Sequence, residues 1–174
     1  MQINSYFSIM TDVLQQQYAL LVAAREIVFD FIKTEIGDDL NTPVSVYNNH
    51  SISYILQHTA GCYFSWLESF AQNENIEWLD TPDVITITQT RELYDRVDDS
   101  VNAFLQNFKG KMEVPISNVH NAVGEVTATP LQLFTHVLTH EFHHKGQIMT
   151  MCRILGYTPV ETDVSLFFYR ANNI

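Results

Sequence analysis

The longest uninterrupted helical pattern in this sequence runs from Tyr6 to Ile36 and contains neither proline nor glycine. Apolar residues recur along it in steps of three and four, which is the spacing of side chains on one face of an α-helix. Gly37 follows directly and predicts where that helix ends. The pattern therefore predicts one long amphipathic helix near the start of the chain.

Three further stretches have the same periodicity and are separated by polar or turn-rich connections. The second helix is predicted at roughly 51–71, and the third ends near Gly110. The fourth begins at the sequence TPLQ (129–132), which supplies a capping hydroxyl, a proline at the first helical position and a glutamine at the third. It is predicted to run to about Leu155, before a glycine that ends it.

These four helices predict an all-α fold, a single four-helix bundle domain over residues 1–174. The connections after the second and third helices are longer than an up-down-up-down bundle requires, so we expect at least one crossover connection. A short irregular or hairpin segment around Gly124 is predicted between the third and fourth helices.

Charge and cysteine content exclude several classes of function. The chain has 20 acidic and 9 basic residues, for a net charge of −11, and no two basic residues are adjacent. Phosphate binding needs clustered cations, so we expect no nucleic-acid partner. Cys62 and Cys152 have no metal-type or disulfide-framework spacing, and we expect neither a signal peptide nor a membrane span. A cytoplasmic location is the expectation.

The sequence HVLTHEFHHKGQI (136–148) puts four histidines into nine residues. His136, His140 and His144 follow one another at intervals of four and share one stripe of the predicted helix, whereas His143 lies outside it. Two imidazoles one turn apart are the usual way for a helix to offer a divalent metal two ligands, while a third must come from another element.

Only His50 and His58 lie in the first half of the chain as possible third ligands. His58 lies on the apolar stripe of the second helix and can face the fourth, whereas His50 precedes a cap in a turn-rich loop. The predicted metal site is therefore His58, His140 and His144. The alternative is that these histidines only pack on apolar faces. His136 is predicted to be a donor beside the metal ligands or a packing residue, and Cys62 to be inert packing.

Residues 140–144 also satisfy HExxH, the motif in which two histidines bind zinc and the glutamate is the general base of a metalloprotease. The longer form of that motif needs glycine and histidine where this chain has Gln147 and Thr150. A protease is therefore disfavoured, and Glu141 is predicted to be a solvated or partner-paired carboxylate at the edge of the site. Gln147 is a candidate to hydrogen-bond the second nitrogen of a ligand, with exposure to solvent as the alternative.

Two stretches carry a resemblance to a known family: SISYILQH (51–58) and LFTHVLTHEFHHKGQIMTMCRILGYTP (133–159). Together they resemble the DinB/YfiT-like superfamily of metal-dependent enzymes, whose fourth helix has the pattern H-x-x-x-H-[RK]-G-Q-I. The order and lengths of the helices agree as well, so the resemblance covers nearly the whole chain.

The resemblance implies an up-down-down-up bundle in which three histidines bind a divalent metal ion, often nickel or zinc. The family's ligand positions fall on His58, His140 and His144. Lys145 stands where the family usually has arginine, which keeps the charge but loses a bidentate donor. Members are often homodimers, and characterised relatives resemble thiol-dependent S-transferases that use low-molecular-weight thiols.

The leading hypothesis is an S-transferase in which the metal holds a small thiol as thiolate for attack on an electrophilic small-molecule substrate. The first alternative is a hydrolase that uses metal-bound hydroxide, with Glu141 or His136 as the catalytic proton carrier. The second is a metal-binding bundle without turnover.

Overall fold

Four helices make up most of the chain in the computed structural model, which describes residues 2–75 and 85–167, with side chains from residue 10 onward. Helix α1 spans Gln2–Phe31, α2 Ile52–Tyr63, α3 Ile87–Asn107 and α4 Pro130–Ile154. Two antiparallel strands, β1 (Ile116–His120) and β2 (Gly124–Ala128), form a hairpin between α3 and α4. The prediction of an all-α class with four helices and a short hairpin is confirmed.

Helices α1 and α2 each continue into a wider turn with π-type hydrogen bonding, over Ile32–Ile36 and Phe64–Phe70 respectively. The helical path that starts with α1 therefore ends at Gly37, as predicted. Gly37 has a φ of 55°, a backbone conformation that glycine adopts without steric strain. Short 3₁₀ turns at Gly37–Asn41 and Ser45–Tyr47 then lead to α2.

Side-chain caps fix where the helices begin. Ser51 Oγ accepts a hydrogen bond from the backbone N–H of Tyr54 at 3.2 Å, at the start of α2. At α4, Thr129 Oγ1 accepts from the N–H of Gln132, and Gln132 Oε1 accepts from the N–H of Thr129. These bonds satisfy backbone donors that have no partner inside the helix, and they confirm both predicted starts. An equivalent capping box at Thr86 of α3 was not predicted.

The hairpin confirms the predicted extended pair around Gly124. Its register runs from Ile116 opposite Ala128 to His120 opposite Gly124, and Gly124 has a φ of 84° that suits the chain reversal. The polar connection predicted after the second helix falls largely on residues 76–84, which lie outside the described residues.

Apolar side chains from all four helices form one continuous core. Helix α4 packs against α1 and α2, and α3 packs against the same two helices. A core of this extent stabilises a bundle without help from a metal ion. No helix among the described residues is long and apolar enough to cross a bilayer. The largest fully buried side chains include Tyr63, Phe29, Phe70, Phe104 and Phe134.

One buried ion network crosses this core. Arg25 of α1, only 4% exposed, donates from Nε and Nη2 to the two carboxylate oxygens of Glu141 in α4, at 2.8 and 3.1 Å. Its Nη1 donates to Asp98 of α3 at 2.6 Å, and the hydroxyl of Tyr63 in α2 donates to Glu141 at 2.6 Å. The guanidinium also lies over the ring of Tyr94, 4.6 Å from its centroid. All four helices therefore share the network.

Arg25→Met should lower the free energy of unfolding by about 3–5 kcal/mol, because it leaves the carboxylate of Glu141 buried without its cationic partner. Arg91→Met is the matched control: Arg91 also pairs with two carboxylates, those of Glu26 and Asp30, but nearer the surface. Its loss should cost about 1 kcal/mol or less. Urea unfolding measures both effects, and equal losses would contradict a special role for the buried network.

Candidate metal centre

The packing of α2 against α4 brings histidines of the two helices to one place. His136, His140 and His144 follow one another by single turns along α4, and His58 comes from α2. One ring nitrogen from each of His58, His140 and His144 lies within 4.8 Å of the other two. The structure thus brings together the three residues that the sequence predicts as ligands, in a cluster that could hold a metal ion. We call these three residues the triad.

The spacing within the triad fits a single ion. The Nε2 atoms of His140 and His144 are 3.1 Å apart. Two nitrogens bound to one zinc ion at about 2.0–2.1 Å, with tetrahedral angles, lie about 3.3 Å apart. The ring centroid of His58 lies 5.2 Å from that of His140 and 4.9 Å from that of His144. His140 and His144 therefore need little rearrangement to bind one divalent ion, and His58 lies beside them.

Gln147 fixes the protonation of His144, as predicted for a residue beside a ligand. Its Oε1 lies 2.7 Å from His144 Nδ1, and its Nε2 lies 2.9 Å from His143 Nε2. Because an amide oxygen only accepts, His144 Nδ1 carries the proton and donates it to Gln147. The lone pair of His144 Nε2 is then left to face His140. This is the tautomer that a metal ligand at Nε2 needs.

Exposure changes across the triad. His144 is buried, with 8% of its surface exposed, and His140 is half-buried. His58 is exposed. The two α4 histidines of the triad are therefore held by the core, while the α2 side of the cluster opens to solvent and gives a small molecule access.

Partial desolvation by the surrounding side chains keeps the triad neutral. Desolvation, followed by the neighbouring His144 and His58, lowers the pKa of His140 to about 4. Desolvation is also the main cause that lowers the pKa of His144 and of the more exposed His58, although the hydrogen bond that His144 donates to Gln147 opposes the effect at His144. Since a metal binds the neutral imidazole, these side chains already have the charge state of a ligand at neutral pH.

Comparison with known proteins identifies the family of this chain. Residues 10–173 match the model of the DinB family. The chain belongs to the DinB family. It is 24% identical to Protein DinB of Bacillus subtilis (strain 168) over 173 residues, which cover 92% of this chain and 96% of that protein. It is also 26% identical to the uncharacterized protein YizA of the same organism over 110 residues, 63% of this chain and 68% of that protein.

In this DinB-family chain, Glu141 of the HExxH pattern faces the core and not the triad. It is 7% exposed, and its carboxylate accepts hydrogen bonds from Arg25 and Tyr63. The predicted pairing of Glu141 with a partner is confirmed, with partners in α1 and α2, but the residue lies in the core and not at the predicted edge of the site. The catalytic role given to Glu141 stays a prediction.

His136 lies one turn from the triad and is exposed. Its Nε2 is 3.6 Å from the sulfur of Cys62, and its ring meets the ring of Trp66 edge to face, at 5.3 Å between centroids. Burial raises the pKa of the Cys62 thiol to about 12. His136 therefore contacts α2 as well as its own helix.

The remaining histidines have separate roles. His120 of β1 is buried against the wider turn Phe64–Phe70 that follows α2. Its Nδ1 accepts from the N–H of Ala122, so its Nε2 donates to Ser65 Oγ at 2.7 Å. His50 stacks on Tyr54, with centroids 3.7 Å apart, outside the triad.

The ammonium group of Lys145 is engaged outside the triad, because it donates a hydrogen bond to the backbone carbonyl of Thr162.

Arg25 and its network were not predicted, although the sequence contains a signal for them. Arg25 interrupts the apolar stripe of α1 between Leu21 and Val28, and Glu141 interrupts that of α4 after Val137. Two opposite charges, each at a core position of a predicted bundle, indicate a buried pair, because an unpaired buried charge is too unstable to persist.

The metal-free protein should lose stability as the pH falls from about 6.5, the ordinary pKa of histidine, to about 4, the pKa of His140 in the folded state. In that window the unfolded chain binds a proton that the folded chain does not, so acidification favours unfolding. His140→Gln should flatten this dependence. Urea unfolding in the presence of a chelator, from pH 7 down to 4, measures it.

His143→Gln is the control for this experiment, since it removes an exposed histidine of the same helix that is not part of the triad. Parallel pH profiles for the parent protein and His140→Gln would rule out His140 as the source of the effect.

Proposed function

We propose that this chain is a metal-dependent enzyme that transfers a low-molecular-weight thiol to an electrophilic small molecule, with one divalent ion, nickel or zinc, bound by His58, His140 and His144. The observation that carries the proposal is the convergence of three imidazoles, with the exposed His58 on one side. Structural zinc sites are closed by four protein ligands, whereas catalytic sites keep a position open. Three ligands with an accessible side support the catalytic kind.

The triad would hold and orient the ion through neutral nitrogens, so the full positive charge of the ion would be kept. When bound, the ion would supply the charge that stabilises a small thiol as its thiolate at neutral pH. Gln147 holds His144 in the tautomer that presents Nε2. The exposed His58 marks the side from which thiol and electrophile would enter.

The position of Glu141 favours a thiol over water as the nucleophile. A metalloprotease or hydrolase built on HExxH needs that glutamate free to take a proton from water. Here both of its carboxylate oxygens are engaged by Arg25, and one also by Tyr63. A thiol depends less on a protein base, because its own pKa is near 8.5. We therefore give Glu141 a positioning role in place of a catalytic one.

We assign proton transfer to His136. Its ring centroid is 5.6 Å from that of His140, and partial desolvation lowers its pKa, so the ring is neutral at pH 7 and can accept a proton. The loss of a thiol proton to His136 would leave the triad nitrogens undisturbed.

We also infer the up-down-down-up order of helix directions. Contacts that advance along one helix go back along the other for α1 and α3 and for α2 and α4, which supports opposite directions within each pair. Contacts from α2 and the turn after it to α3 advance along both, which supports the same direction. A homodimer, implied by the resemblance, stays a prediction. The supporting pairs are Arg91–Asp30 and Arg25–Asp98, His58–His144 and Cys62–His136, and Tyr94–Leu56 and Asn107–Gln72.

Removing a triad ligand should remove the metal and leave the bundle folded. His140→Ala, His144→Ala and His58→Ala should each lower nickel retained after dialysis by about tenfold or more. Elemental analysis measures metal per chain, and far-ultraviolet circular dichroism checks the fold. His143→Ala, on the same helix but outside the triad, should retain nickel. Unchanged metal content in both α4 variants would make the ligand assignment wrong.

Activity should require both metal and an added thiol. The test is to incubate nickel- or zinc-loaded protein with a panel of small thiols and a chromogenic chloronitrobenzene, and to follow product absorbance and loss of free thiol. The expected result is turnover that disappears in His144→Ala. Ester hydrolysis without thiol would contradict the proposal in favour of a hydrolase, and tight metal binding without any turnover would favour a non-catalytic bundle.

Gln147→Leu should weaken metal binding without removing a ligand. Loss of the hydrogen bond that orients a ligating histidine typically reduces metal affinity by about 10–100-fold. Competition with a chromogenic chelator measures the affinity. An affinity equal to that of the parent protein would show that Gln147 does not orient His144.

A further inference from the structure

A second group of metal-ligating side chains lies beside the triad. One ligand atom each from Cys62, His136 and His140 lies within 4.8 Å of the others. The Cys62 sulfur and His136 Nε2 are already 3.6 Å apart. Cys62 is half-buried and His136 is exposed, so an ion can reach the group without unfolding of the bundle.

The second group repeats the arrangement of the triad one turn along the same two helices. Cys62 follows His58 by four residues in α2, and His136 precedes His140 by four residues in α4. His140 belongs to both groups. The α2–α4 interface therefore presents two adjacent sets of three ligands, one with nitrogen only and one with sulfur and nitrogen.

We propose that Cys62, His136 and His140 form a second metal position for thiophilic divalent ions, which the chain uses as an alternative to the triad. The two positions exclude each other because both need His140. A neutral imidazole has one free lone pair on its ring nitrogens, since the other nitrogen carries a proton. One chain therefore holds one ion, in either position.

The donor atoms of each position determine which ions it binds preferentially. Thiolate is a soft ligand that favours soft ions such as cadmium, whereas a site of imidazoles alone suits nickel. When a divalent ion binds at the second position, a bond forms from the Cys62 sulfur to the ion and the thiol proton passes to solvent. The complex then has one positive charge fewer than the same ion at the triad.

This position would also affect the proposed activity. An ion bound there would coordinate both His140 and His136, so His140 could not bind an ion at the triad and His136 could not accept a proton. The second position rests on the geometry of its own three side chains and does not depend on thiol transfer. If the chain does transfer thiols, a thiophilic ion at this position would inhibit that reaction.

The test is titration of metal-free protein with cadmium alone, followed by sulfur-to-metal charge-transfer absorption in the ultraviolet and by bound metal per chain. The expected result is one cadmium per chain with a charge-transfer band. Cys62→Ser should lose the band, and His136→Ala should weaken cadmium binding by roughly tenfold or more. Cys152→Ser is the matched control, since Cys152 is the buried cysteine of α4 outside both groups, and it should keep the band.

His58→Ala separates the two positions. It removes a ligand of the triad only, so nickel binding should fall while the cadmium band stays. Failure of nickel to bind the parent protein would contradict the proposed function and leave the cadmium result untouched. Absence of a band in the parent protein, a band insensitive to both Cys62→Ser and His136→Ala, or two cadmium ions per chain would overturn the second position.

Discussion

The buried pairing of Arg25 with Glu141 is the interaction on which the geometry of the site depends. Glu141 comes one residue after His140 and three before His144 in α4. Adjacent residues of a helix are rotated by about 100°, and residues three apart by about 60° in the other direction. When the carboxylate is fixed toward α1 by two hydrogen bonds, α4 cannot rotate, and its histidines are held toward α2. The network contains none of the three triad histidines, yet it determines the direction in which the two α4 histidines point.

The same rotation explains why an HExxH sequence in this bundle differs from that of a metalloprotease. In the protease motif both histidines bind zinc and the glutamate acts on water beside it. Here the glutamate is taken into the core, and the third imidazole comes from α2. What remains on the solvent side is a cluster of neutral nitrogens, extended by Cys62 and His136. Such a set could hold a divalent ion to which a thiol could bind, and this is the physical basis for proposing a thiol as the substrate.

Much of the fold could be predicted from the sequence because helix signals are local. Periodicity located all four helices, and Gly37 and the box at Thr129 fixed ends that the structure shows. His58 was identified as the third histidine because the spacing predicts it on the face of the second helix that meets the fourth, and the structure places it there with its side chain exposed. The pairing of Arg25 with Glu141 joins residues 116 positions apart, and no local rule reports such a contact. The neighbourhood of Cys62 and His136 likewise follows from how α2 and α4 pack, which periodicity alone does not determine.

The central claim is that His58, His140 and His144 bind one divalent ion. It is tested most directly by crystals of the nickel-loaded protein, with diffraction data collected on both sides of the nickel absorption edge. The account predicts one anomalous peak per chain, within bonding distance of one nitrogen from each of the three histidines and open to solvent beside His58. A peak held by other side chains, or the absence of any peak among these histidines at full nickel loading, would contradict it.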